Sequence, residues 1–209
     1  MNQDNYRKLI SGKTAGPAAS VLRLSLRFIS LIYGAVIRLR NFLYDNKWLK
    51  NTGVNAVVIS IGNITTGGTG KTPLVIRLSK RIVQNYGIAI LTRGYKATQN
   101  YVDEPEMLTK SCPDAKVIVN PDRVAAAREA INKFAAKVLI MDDGFQHRRL
   151  HRDLDIVTID AACPFGFNRI LPAGLLREPL NAFKRADAVV ITRCDQVPQN
   201  ELANLKEKL

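Results

Sequence analysis

Residues 54–73 read VNAVVISIGNITTGGTGKTP, and the fold turns on them. Val54–Ile61 is an apolar, largely β-branched run, the composition of a strand buried on both faces. Pro73 fits the first turn of a helix over Pro73–Asn85, with Gly87 beyond its end. Between strand and helix lies a glycine-rich turn. Gly67, Gly68 and Gly70 let the backbone curl so that successive N–H groups face phosphate oxygens. The amino terminus of the helix adds partial positive charge. Lys71 is placed to reach the β- and γ-phosphates of a nucleotide, and the Thr72 hydroxyl to ligate Mg²⁺. Thr65, Thr66, Gly67, Gly68, Thr69, Gly70, Lys71 and Thr72 are therefore the candidate nucleotide-binding residues. The strict G-x-x-x-x-G-K-[ST] spacing asks for glycine where this chain has Thr65. The strand leading in, the three glycines and the GKT ending sustain the reading.

Working outward, apolar runs at Ile88–Thr92, Val138–Met141, Ile156–Ile159 and Ala188–Thr192 read as further strands, and Asp122–Phe134, rich in helix formers, reads as a helix. Strands alternating with helices predict an α/β fold with a mainly parallel sheet flanked by helices, spanning residues 51–209. The run KVLIM ends at Asp142 and Asp143. A carboxylate at the carboxyl end of a strand beside a phosphate loop is where magnesium is held. Adjacent side chains point to different sides, so one of the two is expected to face the metal directly. Asp-Asp-Gly is also good turn chemistry.

The amino-terminal quarter is different. Residues 1–52 hold nine Lys or Arg against two acids, part of a net charge of +13 for the 209-residue chain. Residues 1–19 are polar and small and predict a flexible tail. Residues 20–50 predict an amphipathic helix at a membrane interface. At 100° per residue, Ser20, Arg23, Arg27, Ser30, Gly34, Arg38, Asn41 and Asp45 share one narrow stripe, and apolar residues cover most of the rest, with Ser25 and Arg40 as exceptions. That is a polar stripe on an apolar rod, the reverse of an ordinary surface helix. Its longest uncharged stretch, Phe28–Ile37, rises about 15 Å, half of the ~30 Å hydrocarbon core. A helix lying in the headgroup region with its arginines at phosphate level fits better than a span. Packing of the helix on the α/β domain or on a partner subunit is the alternative. Internal arginines argue against a cleavable signal.

Cys112, Cys163 and Cys194 are few, far apart and without metal-ligand spacing, as in a reducing compartment. His147 and His151 are four apart, but the HExxH glutamate is missing and Gly144 argues for a loop. TRCD at 192–195 is similar to the guanine-reading NKxD of GTPases, but Thr192 replaces the asparagine, so it implies no GTP preference. With the basic residues on an apolar helix and no aromatic platform, no nucleic-acid partner is expected.

GNITTGGTGKTP at 62–73, RGY at 93–95, DEP at 103–105, NPDR at 120–123, DDGFQH at 142–147 and LPAGLLREPL at 171–180 occur in this order. With the preceding apolar-basic helix, the set resembles the tetraacyldisaccharide 4'-kinase family of lipid A synthesis, from about residue 20 to the end. The resemblance implies transfer of the γ-phosphate of ATP, with Mg²⁺, to the 4'-hydroxyl of an acylated glucosamine disaccharide 1-phosphate, giving lipid IVA. It implies a peripheral enzyme on the cytoplasmic face of the bacterial inner membrane.

By the same resemblance Asp103 is the general base, with Glu104 beside it and Lys71 on the phosphates. Thr72, Asp142 and Asp143 form the metal site, and Arg93, Arg123, Gln146, His147 and Arg177 line the substrate cleft. A membrane-bound ATPase switch and a non-catalytic ATP-binding fragment would share the loop and the aspartates, without needing the DEP or LREPL residues. Members of the family are longer. The chain is therefore expected to be truncated at its carboxyl end, with an incomplete second lobe and without the histidine that partners the DEP aspartate there. The oligomeric state is not readable from the sequence.

Overall fold

The apolar run after Val54 becomes strand β1 (Val57–Gly62), and the chain around it builds a six-stranded sheet. A computed structural model describes residues 3–94 and 104–209. The further strands are β2 (Ile88–Thr92), β3 (Lys116–Val119), β4 (Val138–Asp142), β5 (Leu154–Asp160) and β6 (Ala188–Thr192), in the order β3-β2-β4-β1-β5-β6. Every pairing is parallel, with Ile61 opposite Asp142 and Gly62 opposite Val157. Parallel strands need covered faces, and the alternation of β1 and β4 supplies two. Val58, Leu139 and Met141 meet Val124, Ala126, Ala127 and Ala130 of helix α5 (Arg123–Phe134) on one face. Ile59, Ile61 and Ile140 meet Val75 of α3 (Lys71–Ile82) and Leu108 of α4 (Glu104–Ser111) on the other.

Local chemistry sets the helix ends. Asp122 caps α5 by accepting from the backbone N–H groups of Val124 (2.9 Å) and Ala125 (3.2 Å). Helix α3 opens at Gly70, whose φ of 76° is left-handed, a conformation glycine enters without steric penalty. It starts at Lys71, two residues before Pro73, and ends at Ile82 rather than Asn85.

Two features depart from the sequence reading. Residues 3–10 form helix α1 (Gln3–Ile10) instead of a loose tail. Leu9 and Ile10 are buried, and the Tyr6 hydroxyl donates to the Pro172 carbonyl at 2.7 Å. Long-range contacts thus order a segment whose composition is unremarkable. The second is the use made of helix α2 (Pro17–Asp45). Its polar stripe does not lie at headgroup level along its whole length. Ser30 donates to Ile170 O (2.7 Å), Asn41 donates to Glu178 (2.8 Å), and Asp45 pairs with Arg148 (2.7 Å). Polar side chains within an apolar helix satisfy themselves against the domain. The rest of the surface remains outward, with Leu24, Phe28 and Leu31 at 68%, 65% and 69% exposure. By length and composition α2 also suffices to cross a bilayer. Helix α6 (Gln199–Glu207) closes the described chain.

Candidate functional site

Because β1 and β4 are neighbours, the glycine-rich turn after β1 and the two aspartates after β4 come together at the carboxyl edge of the sheet, the usual place for ligands in such sheets. The turn is held from three sides. Thr65 forms an antiparallel bridge with Leu176, and Thr66 N–H donates to Leu175 O at 2.8 Å. Thr65 is not among the residues with a left-handed backbone, so the position given to glycine in the strict motif is here an extended, paired residue. Asn63 donates to the buried Thr69 hydroxyl (2.9 Å), which also lies 2.7 Å from the Thr158 hydroxyl on β5. Thr192 at the end of β6 donates to Thr69 O (3.1 Å).

A cleft of about 660 Å³ opens above this loop. It is lined by Gly67–Pro73, Glu104, Met107, Asp142, Asp143, Arg177 and Arg193. Lys71 Nζ lies 3.4 Å from Asp143, and Arg177 Nη1 lies 2.9 Å from both oxygens of the same carboxylate. Burial would raise the Asp143 carboxyl, but Lys71 and Arg177 outweigh it and hold it below the ordinary value. Asp142 behaves oppositely. Burial, then the charges of Glu104 and Asp143, push it up to about 6. It is 3% exposed, and its Oδ1 has no hydrogen-bond partner among the described residues. A buried carboxylate oxygen without a donor, beside Thr72 and a phosphate loop, suits a hard cation that takes oxygen ligands. The two aspartates thus divide: Asp143 is committed to cations of the protein, and Asp142 offers an unfilled oxygen.

A second cavity, of about 530 Å³, shares Asp143 and Arg177 with the first. Its wall brings together Arg93, Arg123, Gln146 and His147 with Thr66, and adds Tyr33, Ile37 and Arg40 of α2. Arg123 donates to Asn120 O (2.6 Å), and Gln146 donates to Asn63 O (2.8 Å) while accepting from Arg177 (3.3 Å). His147 is half-buried, and burial followed by the nearby Arg123 keeps its imidazole below the usual value, so it is neutral at pH 7. Asp103 lies outside the described residues. Glu104, the first residue of α4, faces the loop cleft.

The sequence reading missed Tyr33, Ile37 and Arg40. Arg40 donates to Gln146 O (2.6 Å) and Tyr33 to Arg177 O (3.1 Å). Arg40 did leave a signal, as a charge interrupting an otherwise apolar face. Arg193 was also missed. It stands at the edge of the loop cleft with a left-handed backbone and an ion pair to Asp160.

The family model described as tetraacyldisaccharide-1-P 4'-kinase matches residues 22–208. The chain is 38% identical over 224 residues to the tetraacyldisaccharide 4'-kinase of Halothermothrix orenii, covering 96% of this chain and 58% of that one. It is 40% identical over 208 residues to that of Geobacter sulfurreducens, covering 90% and 59%. Its fold superposes on the "apo" form of LpxK from Aquifex aeolicus in complex with ATP with a TM-score of 0.76, at 38% identity, over 83% of this chain and 60% of that one. The chain therefore spans less than two thirds of the length of these relatives.

Proposed function

The chain belongs to the tetraacyldisaccharide-1-P 4'-kinase family, and on that premise we propose that it moves the γ-phosphate of ATP to the 4'-hydroxyl of an acylated glucosamine disaccharide 1-phosphate, giving lipid IVA. The observation that carries this reading is the pair of cavities meeting at Asp143 and Arg177. One holds the phosphate loop. The other opens beside the helix whose apolar face is uncovered. A phosphoryl group in transfer belongs at such a junction, since catalysis here is positioning plus charge stabilisation.

The loop amides and Lys71 grip the β- and γ-phosphates. Thr72 and Asp142 are the residues that would hold Mg²⁺, which would supply positive charge to neutralise the phosphates. Arg177, whose Nη1 donates to both oxygens of Asp143, presents its remaining N–H groups to the transferred group. Arg93 and Arg123 supply positive charge to the acceptor cavity, where an anionic lipid headgroup would sit. Asp103 takes the proton of the attacking hydroxyl, with Glu104 beside it.

Helix α2 docks its polar stripe on the domain and lays Leu24, Phe28 and Leu31 into the membrane interface. On this reading the acceptor cavity lies at lipid level, and the enzyme works on the cytoplasmic face of the inner membrane. Incubation with γ-labelled ATP, Mg²⁺ and the disaccharide 1-phosphate lipid in detergent is expected to label the lipid. Nucleotide hydrolysis without labelled lipid would remove the kinase reading.

A further inference from the structure

We propose that Arg7, on the amino-terminal helix ahead of the family-matched segment, supplies a cation to the terminal phosphate held by the glycine-rich loop. This rests on the reading of that loop as a triphosphate site. Helix α1 precedes residues 22–208, the segment that the family model matches.

Its placement is built. Leu9 and Ile10 are buried, and Tyr6 Oη donates to Pro172 O (2.7 Å). The flank of the helix beside this packed face then lays the Arg7 guanidinium on the loop. Arg7 Nη2 is 3.3 Å from where a Cβ on Gly67 would stand, and Gly67 has a φ of 120° that disfavours any side chain there. Gly67 borders the same cleft as Lys71, Asp142 and Arg177.

The three cations that line the cleft each face a carboxylate. Lys71 and Arg177 face Asp143. Arg193, whose Nη2 is 3.8 Å from the Cβ position of Gly68, is paired with Asp160. The Arg7 guanidinium has no hydrogen bond or ion pair to any described residue, while its backbone carbonyl accepts from Ser11 N–H (3.0 Å) within the helix turn. A guanidinium without a carboxylate partner, resting on a loop that ends at a helix amino terminus, stands where an anion held by that loop would meet it. A triphosphate is that anion, and a guanidinium can grip two of its oxygens at once. Charge spreads over the equatorial oxygens of a phosphoryl group in transfer, and arginines placed there stabilise it. The sequence supplies one from its own amino-terminal arm.

Calorimetry on the whole 209-residue chain tests this, with Mg²⁺ and either a non-hydrolysable ATP analogue or ADP. Binding of the analogue by the unaltered chain is the premise, and its failure sinks both this proposal and the nucleotide reading. Given that binding, Arg7→Ala is expected to weaken the analogue about tenfold or more, the loss of one hydrogen bond to a charged group. ADP, which lacks the terminal phosphate, should change by less than about twofold. Arg7→Lys should recover part of the loss, since it keeps the charge without the fork. Tyr6→Phe removes only the tether and should give a smaller loss with the same preference. No loss in Arg7→Ala overturns the proposal. So does an equal loss for both nucleotides, with or without a lowered melting temperature, since that assigns α1 a purely structural role.

Discussion

Asp142 and Asp143 are neighbours with opposite electrostatics, and the difference predicts behaviour. The Asp142 carboxyl, raised by burial from 3.8 to about 6, binds a proton in the folded chain at pH values where the unfolded chain has lost it. Its contribution to stability is present below about pH 4 and is lost as pH rises through about 6. A shift of that size corresponds to about 3 kcal/mol. Asp142→Asn is therefore expected to raise the melting temperature of the metal-free chain at pH 7.5 by several degrees, and to remove the extra protection that Mg²⁺ with ATP gives the natural chain. An unchanged melting temperature would show that the carboxylate is better solvated than its burial implies. In the natural chain Mg-ATP affinity should fall as pH is lowered through about 6, because the ligand oxygen must be ionised. Lys71→Ala should lower lipid labelling at least as much as Asp103→Ala. A general base contributes about 10²–10⁴ in rate, and loss of the phosphate grip removes binding as well. Full labelling by Asp103→Ala would free that residue of the base role. At this scale the loop and both aspartates were legible, because a glycine run after a strand and a carboxylate at a strand end are local patterns. Arg193 was not, since its reach over Gly68 depends on β6 lying two strands away from β1.

At the scale of elements, α2 joins the outer surface to the site. The buried Glu178 accepts from Asn41 of this helix and from Arg185 (2.9 Å). Arg185 in turn stacks over Phe145, 4.6 Å from the ring centre. Glu178→Ala leaves Arg185 without its counter-charge and should cost about 3–5 kcal/mol of stability, read as a fall in urea midpoint. A shift below 1 kcal/mol would mean that Arg185 finds water instead. Replacing Leu24, Phe28 and Leu31 together with Asp should abolish flotation with anionic vesicles and leave Mg-ATP affinity unchanged, since none of the three lines a cavity. Retained flotation would point to the basic residues alone. Helical period located the polar stripe of α2, but period cannot say whether a stripe meets water, headgroups or protein. Only Ser30, Asn41 and Asp45 finding Ile170, Glu178 and Arg148 decides that. The edge strand β3 escaped notice because one of its four residues is buried and its Lys116 start is polar. Helix α1 escaped because Tyr6 is held by a partner 166 residues away.

For the molecule as a whole, the strand order brings two chambers to one edge of the sheet, and among the described residues the Asp143–Arg177 pair lines both. On the proposed reading, water in the acceptor cavity has the same approach to the terminal phosphate, past this pair, as a sugar hydroxyl. On that reading, how much nucleotide is squandered is governed by what fills the neighbouring chamber rather than by the proposed phosphate loop. Phosphate release without lipid should be slow but measurable, and should drop when a non-reactive acylated disaccharide bearing no free 4'-hydroxyl plugs that space. A release rate indifferent to the plug would mean that the pair already keeps solvent out. Economy of fuel, on this geometry, is a property of the guest.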